Sequence, residues 1–218
     1  MVTSTLKLYG FWRSSATWRV RIGLAHKGLE VDYQPVDLLK DGGEQNQDPY
    51  GTVNPLRQVP VLEVAEGGRT VRLTQSIAIL EYLDERYPEP PILPKDLLLR
   101  TQARRIAEIV NAGIQPLQNT SVQRFVREEL KGDEKAWTKY WVTRGLFALE
   151  AAVAESAGRF AVGDHVTIAD ACIAPQLYFA SRFSIDLTPY PTLTRVDAAC
   201  AELPAFQRAH ATAQPDAP

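Results

Sequence analysis

Cysteine is nearly absent: the 218 residues hold two, Cys172 and Cys200. They form no C-x-x-C pair and no disulfide framework, which excludes a stapled secreted scaffold and points to a reducing compartment, the cytoplasm. The three histidines, His26, His165 and His210, are scattered without zinc-ligand spacing, so no metal site is expected. No apolar run approaches the roughly 20 residues that a membrane span requires. The opening MVTSTLKLYG lacks the charged-then-apolar pattern of a signal peptide. Charge of one sign is missing too: 24 Lys and Arg face 26 Asp and Glu, a net −2. Neither nucleic acid nor an anionic membrane is therefore expected as the main partner. There is no internal repeat and no low-complexity tract.

What is present is ordinary globular composition, 45% hydrophobic and 23% charged, long enough for one large domain or two modest ones. LKLYGF (6–11) reads as a short strand, and SATWRVRIGLAHKG (15–28) as a helix stopped by Gly28, a residue suited to the left-handed position there. VDYQPV (31–36) alternates like a second strand, and the polar, glycine-bearing stretch 38–55 predicts a loop with a helical turn. VPVLEV (59–64) and RTVRL (69–73), joined by AEGG, predict an antiparallel hairpin. SIAILEYLDERYP then predicts a helix from Ser76 that Pro88 ends. This order gives a small α/β domain with a mixed sheet over residues 1–87. Four prolines between 88 and 94 mark an extended linker. Helical periodicity continues through 97–114, 121–130, 136–156, 167–183, 190–203 and 204–210, an all-α domain over 95–218 that closes on an extended tail, ATAQPDAP. Trp137, Tyr140, Trp141 and Phe147 recur at helical spacing, as core residues do.

The stretch FWRSSATWRVRI places Ser14 and Ser15 where a strand gives way to a helix. A serine there caps the helix by accepting an orphan backbone N–H. The same position carries partial positive charge and free donors that stabilise an anion such as a thiolate. Arg13, Arg19 and Arg21 add local positive charge, and composition does not choose between the two uses. Val59-Pro60 precedes a strand, where a proline without an N–H is tolerated. A trans bond is the usual state; a cis bond there presents the Val59 N–H and C=O to an extended peptide. Gln75-Ser76 offers Ser76 either as an N-cap or as a donor to a carboxylate. In TIAD, Thr167 and Asp170 fit a capping box, so Asp170 is structural rather than a catalytic acid, and its replacement by alanine is expected to cost roughly 1 kcal/mol.

Together these residues resemble the glutathione transferase fold: a thioredoxin-like α/β first domain with VP at the third strand, then an all-α second domain. RSSATWRVRI, KDGGEQ, NPLRQVP, QSIAILEYL, GIQPLQNTSV, VGDHVTIAD, RFSIDLTPYPT and the terminal QPDAP are similar, in order, to the zeta class, the maleylacetoacetate isomerases. The resemblance implies that glutathione is the cofactor. It places Ser14 as stabiliser of the thiolate with Ser15 beside it, and Gln45, Val59, Pro60, Gln75 and Ser76 around the tripeptide. Gln115, Asn119, Thr120 and Ser121 match the family stretch that faces the cofactor from the helical domain. The family's cysteine is replaced by Ala16, which leaves the thiolate's own partner untouched.

The implied activity is conversion of maleylacetoacetate to fumarylacetoacetate, in tyrosine and phenylalanine catabolism, by thiolate addition, bond rotation and elimination. Because the substrate is a dicarboxylate, Arg13 and Arg182 are the candidate substrate ligands. The alternatives are exposure to solvent for Arg13 and an ion pair with Asp186 for Arg182. A maleylpyruvate isomerase shares fold and mechanism; additional arginines near Asn119 are expected in that branch, where this chain has Thr120 and Ser121. A transferase or dehalogenase on α-halo acids uses the same thiolate, and a non-catalytic glutathione-fold binding protein is the remaining alternative. Family members pair as homodimers.

Overall fold

The structure, a computed structural model, describes residues 5–218. It divides into two compact units, one ending at Pro91 but including Leu203–Pro218, the other spanning Ile92–Glu202.

In the first unit, β1 (Thr5–Gly10), β2 (Asp32–Pro35), β3 (Val61–Glu66) and β4 (Arg69–Thr74) form one sheet in the order β2-β1-β3-β4. β1 pairs in parallel with β2, and β3 runs antiparallel to both β1 and β4. The period-2 alternation of β1 puts Leu6 and Leu8 on one face, opposite Val64 and Leu62 of β3. Against that face pack Val20 and Leu24 of α1 (Ser15–His26) and Ile79 and Leu83 of α3 (Ser76–Arg86), forming the core. Gly23 lets α1 and α3 approach closely, since a Cβ there would collide with Leu80. α1 ends as its sequence predicts: Gly28 sits at φ 65°, and Leu29 N–H donates to Leu24 O in a 2.9 Å closing bond. A short helix, α2 (Asp48–Gly51), interrupts the long loop before β3. Tyr50 of α2 packs with Val36 and Val61 in a second small core.

The helical domain expected over 95–218 does not run to the C-terminus. α9 (Pro204–Ala209) buries Ala205, Phe206 and Ala209 and packs on α1, so the last residues belong to the first unit. The extended tail expected at ATAQPDAP is likewise corrected. Ala211–Ala213 makes a 3₁₀ turn, and Gln214 Nε2 donates to the carbonyls of Arg208 and His210 at 2.9 Å each. With α9 on one side and α3 on another, α1 is buried from Thr17 to Leu24, two arginines included.

The second unit holds α4 (Leu97–Glu108), α5 (Thr120–Glu128), α6 (Glu134–Ala154), α7 (Ile168–Arg182) and α8 (Pro191–Ala201). The single helix expected over 97–114 is α4 followed by a π-helical stretch, Ile109–Ile114, and a 3₁₀ turn, Gln115–Gln118. α7 is the central helix, buried continuously from Ile168 to Leu177, with α4 and α8 packed on it. Its start carries the expected capping box between Thr167 and Asp170. The aromatic set of α6 is a correction. Tyr140 and Phe147 are 59% and 74% exposed, and Trp137 and Trp141 only half-buried. The core face of α6 is instead Thr138, Val142, Leu146, Leu149 and Val153. Two apolar stripes share this helix, and periodicity alone does not say which one is buried.

Candidate active site

Strand register gathers the first unit's candidate residues at one edge of the sheet. Tyr9 pairs with Val61 and Val61 with Thr74, so β1 ends, β3 begins and β4 ends side by side. Gly10 pairs with Pro35, so β2 ends there as well. The loops that carry Ser14, Gln45, Val59-Pro60 and Gln75-Ser76 therefore all leave or enter the sheet at this edge. α1 and α3 both start from it, aiming two helix N-termini in one direction.

Ser14 is the N-cap of α1, with extended backbone and its Oγ accepting from Thr17 N–H at 3.2 Å. The capping use is thus real, and it occupies the oxygen as acceptor while leaving the hydroxyl hydrogen to donate elsewhere. Among the described residues, the N–H groups of Ser15 and Ala16 have no acceptor, as the first turn of a helix requires. One side of this tip thus presents a hydroxyl and two amide donors, suited to an anion.

At α3 the expected cap is shifted by one residue. Gln75 is the N-cap, at φ 69° and without a side-chain capping bond, and Ser76 is the first helical residue. Ser76 is buried, and its Oγ accepts from Arg19 Nη1 at 3.2 Å. Arg19 of α1 is fully buried, so it does not add surface charge beside Ser14; its bond to Ser76 ties α1 to α3 instead. Arg21 likewise points inward, to carbonyls of Phe11, Trp12 and Ala209.

The Val59-Pro60 bond is cis, one of the two states that the sequence left open. The Val59 N–H and C=O make no hydrogen bond among the described residues, and Pro60 is buried at the mouth of β3. Asn54 and Tyr50 hold the preceding residue, both donating to Gln58 O at 2.8 Å. Gln45 follows Glu44, whose N–H and carboxylate bond both polar backbone groups of Asp37 at 2.8 Å. The Gln45 Oε1 is buried without a partner among the described residues. Unpaired amide groups at Gln45, Val59 and Gln75 together with an anion-binding helix tip fit a peptide-like ligand bearing a carboxylate and a thiol. Glutathione has that chemistry.

Arg13 is not exposed as one alternative held: it is half-buried, with its guanidinium 5.4 Å from the Trp12 ring and 5.8 Å from that of Phe11. In the second unit, Asn119 caps α5, its Oδ1 accepting from Ser121 N–H at 3.2 Å and lying 3.4 Å from Thr120 Oγ1 and 3.3 Å from Ser121 Oγ. Gln115 opens the 3₁₀ turn before it. Arg182, in the last turn of α7, is exposed and makes no ion pair among the described residues. Asp186 instead accepts from Thr188 N–H at 2.9 Å, and hydrogen bonding from the Thr188 side chain, then from its backbone, holds the carboxyl below the usual range, so the ion-pair alternative is not met. Charge reversal at Arg13 or Arg182 is expected to raise KM for a dicarboxylate substrate about tenfold or more, with glutathione affinity nearly unchanged. Equal losses of both, measured by kinetics and calorimetry, would remove the assignment.

The N-terminal domain of glutathione S-transferases matches residues 4–85. A probable maleylacetoacetate isomerase 2 of Drosophila melanogaster is 46% identical over 97% of this chain and 90% of its own length. Among solved structures, the maleylacetoacetate isomerase of Anaeromyxobacter dehalogenans 2CP-1, with glutathione bound in its active site, is 55% identical over the whole of both chains, with a TM-score of 0.93. A bacterial maleyl pyruvate isomerase described as a zeta-class glutathione S-transferase is 41% identical over 97% of this chain and 100% of its own, with a TM-score of 0.90.

Proposed function

The chain belongs to the maleylacetoacetate isomerase family, the zeta class of the glutathione transferases, and from that premise we propose that it is a glutathione-dependent cis–trans isomerase acting on maleylacetoacetate. The observation that carries the reading is the pair of helix N-termini at one sheet edge, led by Ser14 and by Gln75-Ser76, with uncommitted donors at the tip of α1. Glutathione in the active site of the Anaeromyxobacter relative supports the choice of cofactor.

Bound glutathione supplies a thiol whose reversible addition to a conjugated cis alkene suspends its double-bond character long enough for rotation. The chain's own residues do the rest. The Ser14 hydroxyl donates to the sulfur and favours its ionised form, and the free N–H groups of Ser15 and Ala16 add to the positive potential there. Val59 offers one N–H and one C=O to the peptide backbone of the tripeptide, and Gln45 an amide. Gln75-Ser76, at the head of α3, takes the γ-glutamyl carboxylate. Gln115, Asn119, Thr120 and Ser121 keep the ligand-facing role that the family resemblance implies. Arg13 and Arg182 are each a candidate ligand for a substrate carboxylate. Ala16, in place of the family cysteine, removes a second thiol and so a site for alkylation by electrophiles.

Physiologically, this reading puts the protein in tyrosine and phenylalanine catabolism, as a cytoplasmic homodimer. Among the described residues, no helix is long and apolar enough to cross a membrane. Maleylpyruvate is the second candidate substrate, favoured by the 41% identity to a maleyl pyruvate isomerase. Uncharged Thr120 and Ser121 beside Asn119 favour the larger one. Assay of the purified protein on both maleyl compounds, with and without glutathione, is expected to give strictly glutathione-dependent turnover, faster on maleylacetoacetate. A rate indifferent to glutathione overturns the reading.

A further inference from the structure

The turn Phe11–Ser14, which joins β1 to α1 and delivers Ser14 to the sheet edge, is held from outside itself. We propose that Asp216, followed in the sequence by Ala217 and Pro218, is a positioning residue that clips this turn and so sets where the Ser14 hydroxyl points. The inference rests on the role given to Ser14 above.

The bonds converge on Trp12. Its N–H donates to Asp216 Oδ2 at 2.8 Å, and its C=O accepts from Arg21 Nη2 at 2.8 Å. Both polar backbone groups of one residue are thus gripped by side chains of opposite charge, one from α1 and one from the far end of the chain. Arg21 also donates to Phe11 O at 3.4 Å and, through Nε, to Ala209 O at 3.1 Å, so the same guanidinium fastens the turn to the end of α9. Tyr33 of β2 donates its hydroxyl to the same Asp216 oxygen at 3.2 Å. Burial raises the Tyr33 phenol well above its ordinary range, so it remains a donor throughout the working pH range. Ser14 itself follows two residues later, its N–H donating to Phe11 O at 3.0 Å. The other oxygen of Asp216 is buried without a partner among the described residues. A half-satisfied buried carboxylate costs stability, so packing does not explain its presence, whereas the fixed placement of Trp12 does. A displacement of about 1 Å between reacting groups lowers rates by about a hundredfold, which makes such a clip consequential.

The test uses the full-length protein carrying Asp216→Ala or Asp216→Asn, with amide hydrogen exchange over Phe11–Ser15, melting temperature, and kcat, KM and the pH profile measured side by side. Asp216→Ala is expected to speed exchange at the Trp12 amide about tenfold or more and to lower kcat/KM by a similar factor. It should also move the acid limb of the profile to higher pH, while exchange in β3 and α3 stays put. Asp216→Asn, which keeps an acceptor oxygen for Trp12 and Tyr33, should restore most of the loss. A merely structural role would lower the melting temperature in both variants and leave the pH profile in place, which counts against the proposal. So does normal Trp12 exchange in Asp216→Ala, or fast exchange with unchanged kinetics. Should Asp216→Ala fail to fold, Tyr33→Phe removes one hydrogen bond to the same carboxylate and is expected to move the same readouts in the same direction, by less; no movement overturns the clip. Ser14→Ala separates the two failures. If that variant is silent, the role of Ser14 falls; if it is impaired and Asp216→Ala is not, only the clip falls.

Discussion

Replacing Ser14 by alanine is expected to lower kcat/KM about a hundredfold, the usual effect of deleting one donor that stabilises a reacting anion. Two consequences of the same hydroxyl have to be told apart. As N-cap, its Oγ accepts from Thr17 N–H, and losing a cap costs about 1 kcal/mol, a fall of roughly 2–4 °C in melting temperature for a chain of this size. As donor, it lowers the pKa of the cofactor's thiol. Removing it raises that pKa and shifts the acid limb of the kcat/KM profile upward by about one unit, since one unit corresponds to about 1.4 kcal/mol. Ser15→Ala leaves the cap bond intact, and its own hydroxyl makes no hydrogen bond among the described residues. It is expected to change rate and profile by less than about threefold. A melting shift without a profile shift in Ser14→Ala would assign the residue to capping alone.

Much of this site is legible in the sequence because local chemistry dictates it. A serine before an apolar-periodic run starts α1, and Gly28 ends it. A proline without an N–H keeps Pro60 out of the ladder, so β3 begins at Val61 rather than at Val59. What fails is what distant packing decides. Ser76 looks like a cap by type, yet Arg19 of another helix takes its oxygen and Gln75 becomes the cap. Arg19 and Arg21 look like surface charge, and burial between helices turns both inward. A short polar tail with two prolines reads as loose, whereas Asp216 finds Trp12 across 204 positions of sequence. Such contacts leave no local period and no spacing to detect. The same limit explains α6, where two apolar stripes satisfy one periodicity and only the tertiary contacts select the buried one.

Asp170→Ala should be the most destabilising of the substitutions considered, and it shows how burial changes a sequence-based magnitude. From the capping box alone the expected cost is roughly 1 kcal/mol. In the structure Asp170 is fully buried and accepts four bonds: from Cys200 Sγ at 3.9 Å, Thr167 N–H at 2.7 Å, Thr167 Oγ1 at 3.0 Å and Ala161 N–H at 2.8 Å. The last reaches outside the helix and pins the loop before α7. Alanine strands these donors where water does not reach them, so the cost rises to about 3 kcal/mol, a fall of roughly 6–12 °C. The pH dependence has a definite sign. Burial, opposed by these hydrogen bonds, pushes the carboxyl up to about 6, above its ordinary 3.8. A group with a raised folded-state pKa contributes its stability in full below the unfolded value and loses it as pH rises through the folded one. The penalty of Asp170→Ala is therefore expected to be largest near pH 4 and to shrink as pH rises through 6, as denaturant melts at the two pH values would show. Turnover per folded molecule should stay unchanged, because nothing in this network touches the candidate reacting groups. A large fall in kcat at an unaltered melting temperature would instead make Asp170 part of the chemistry.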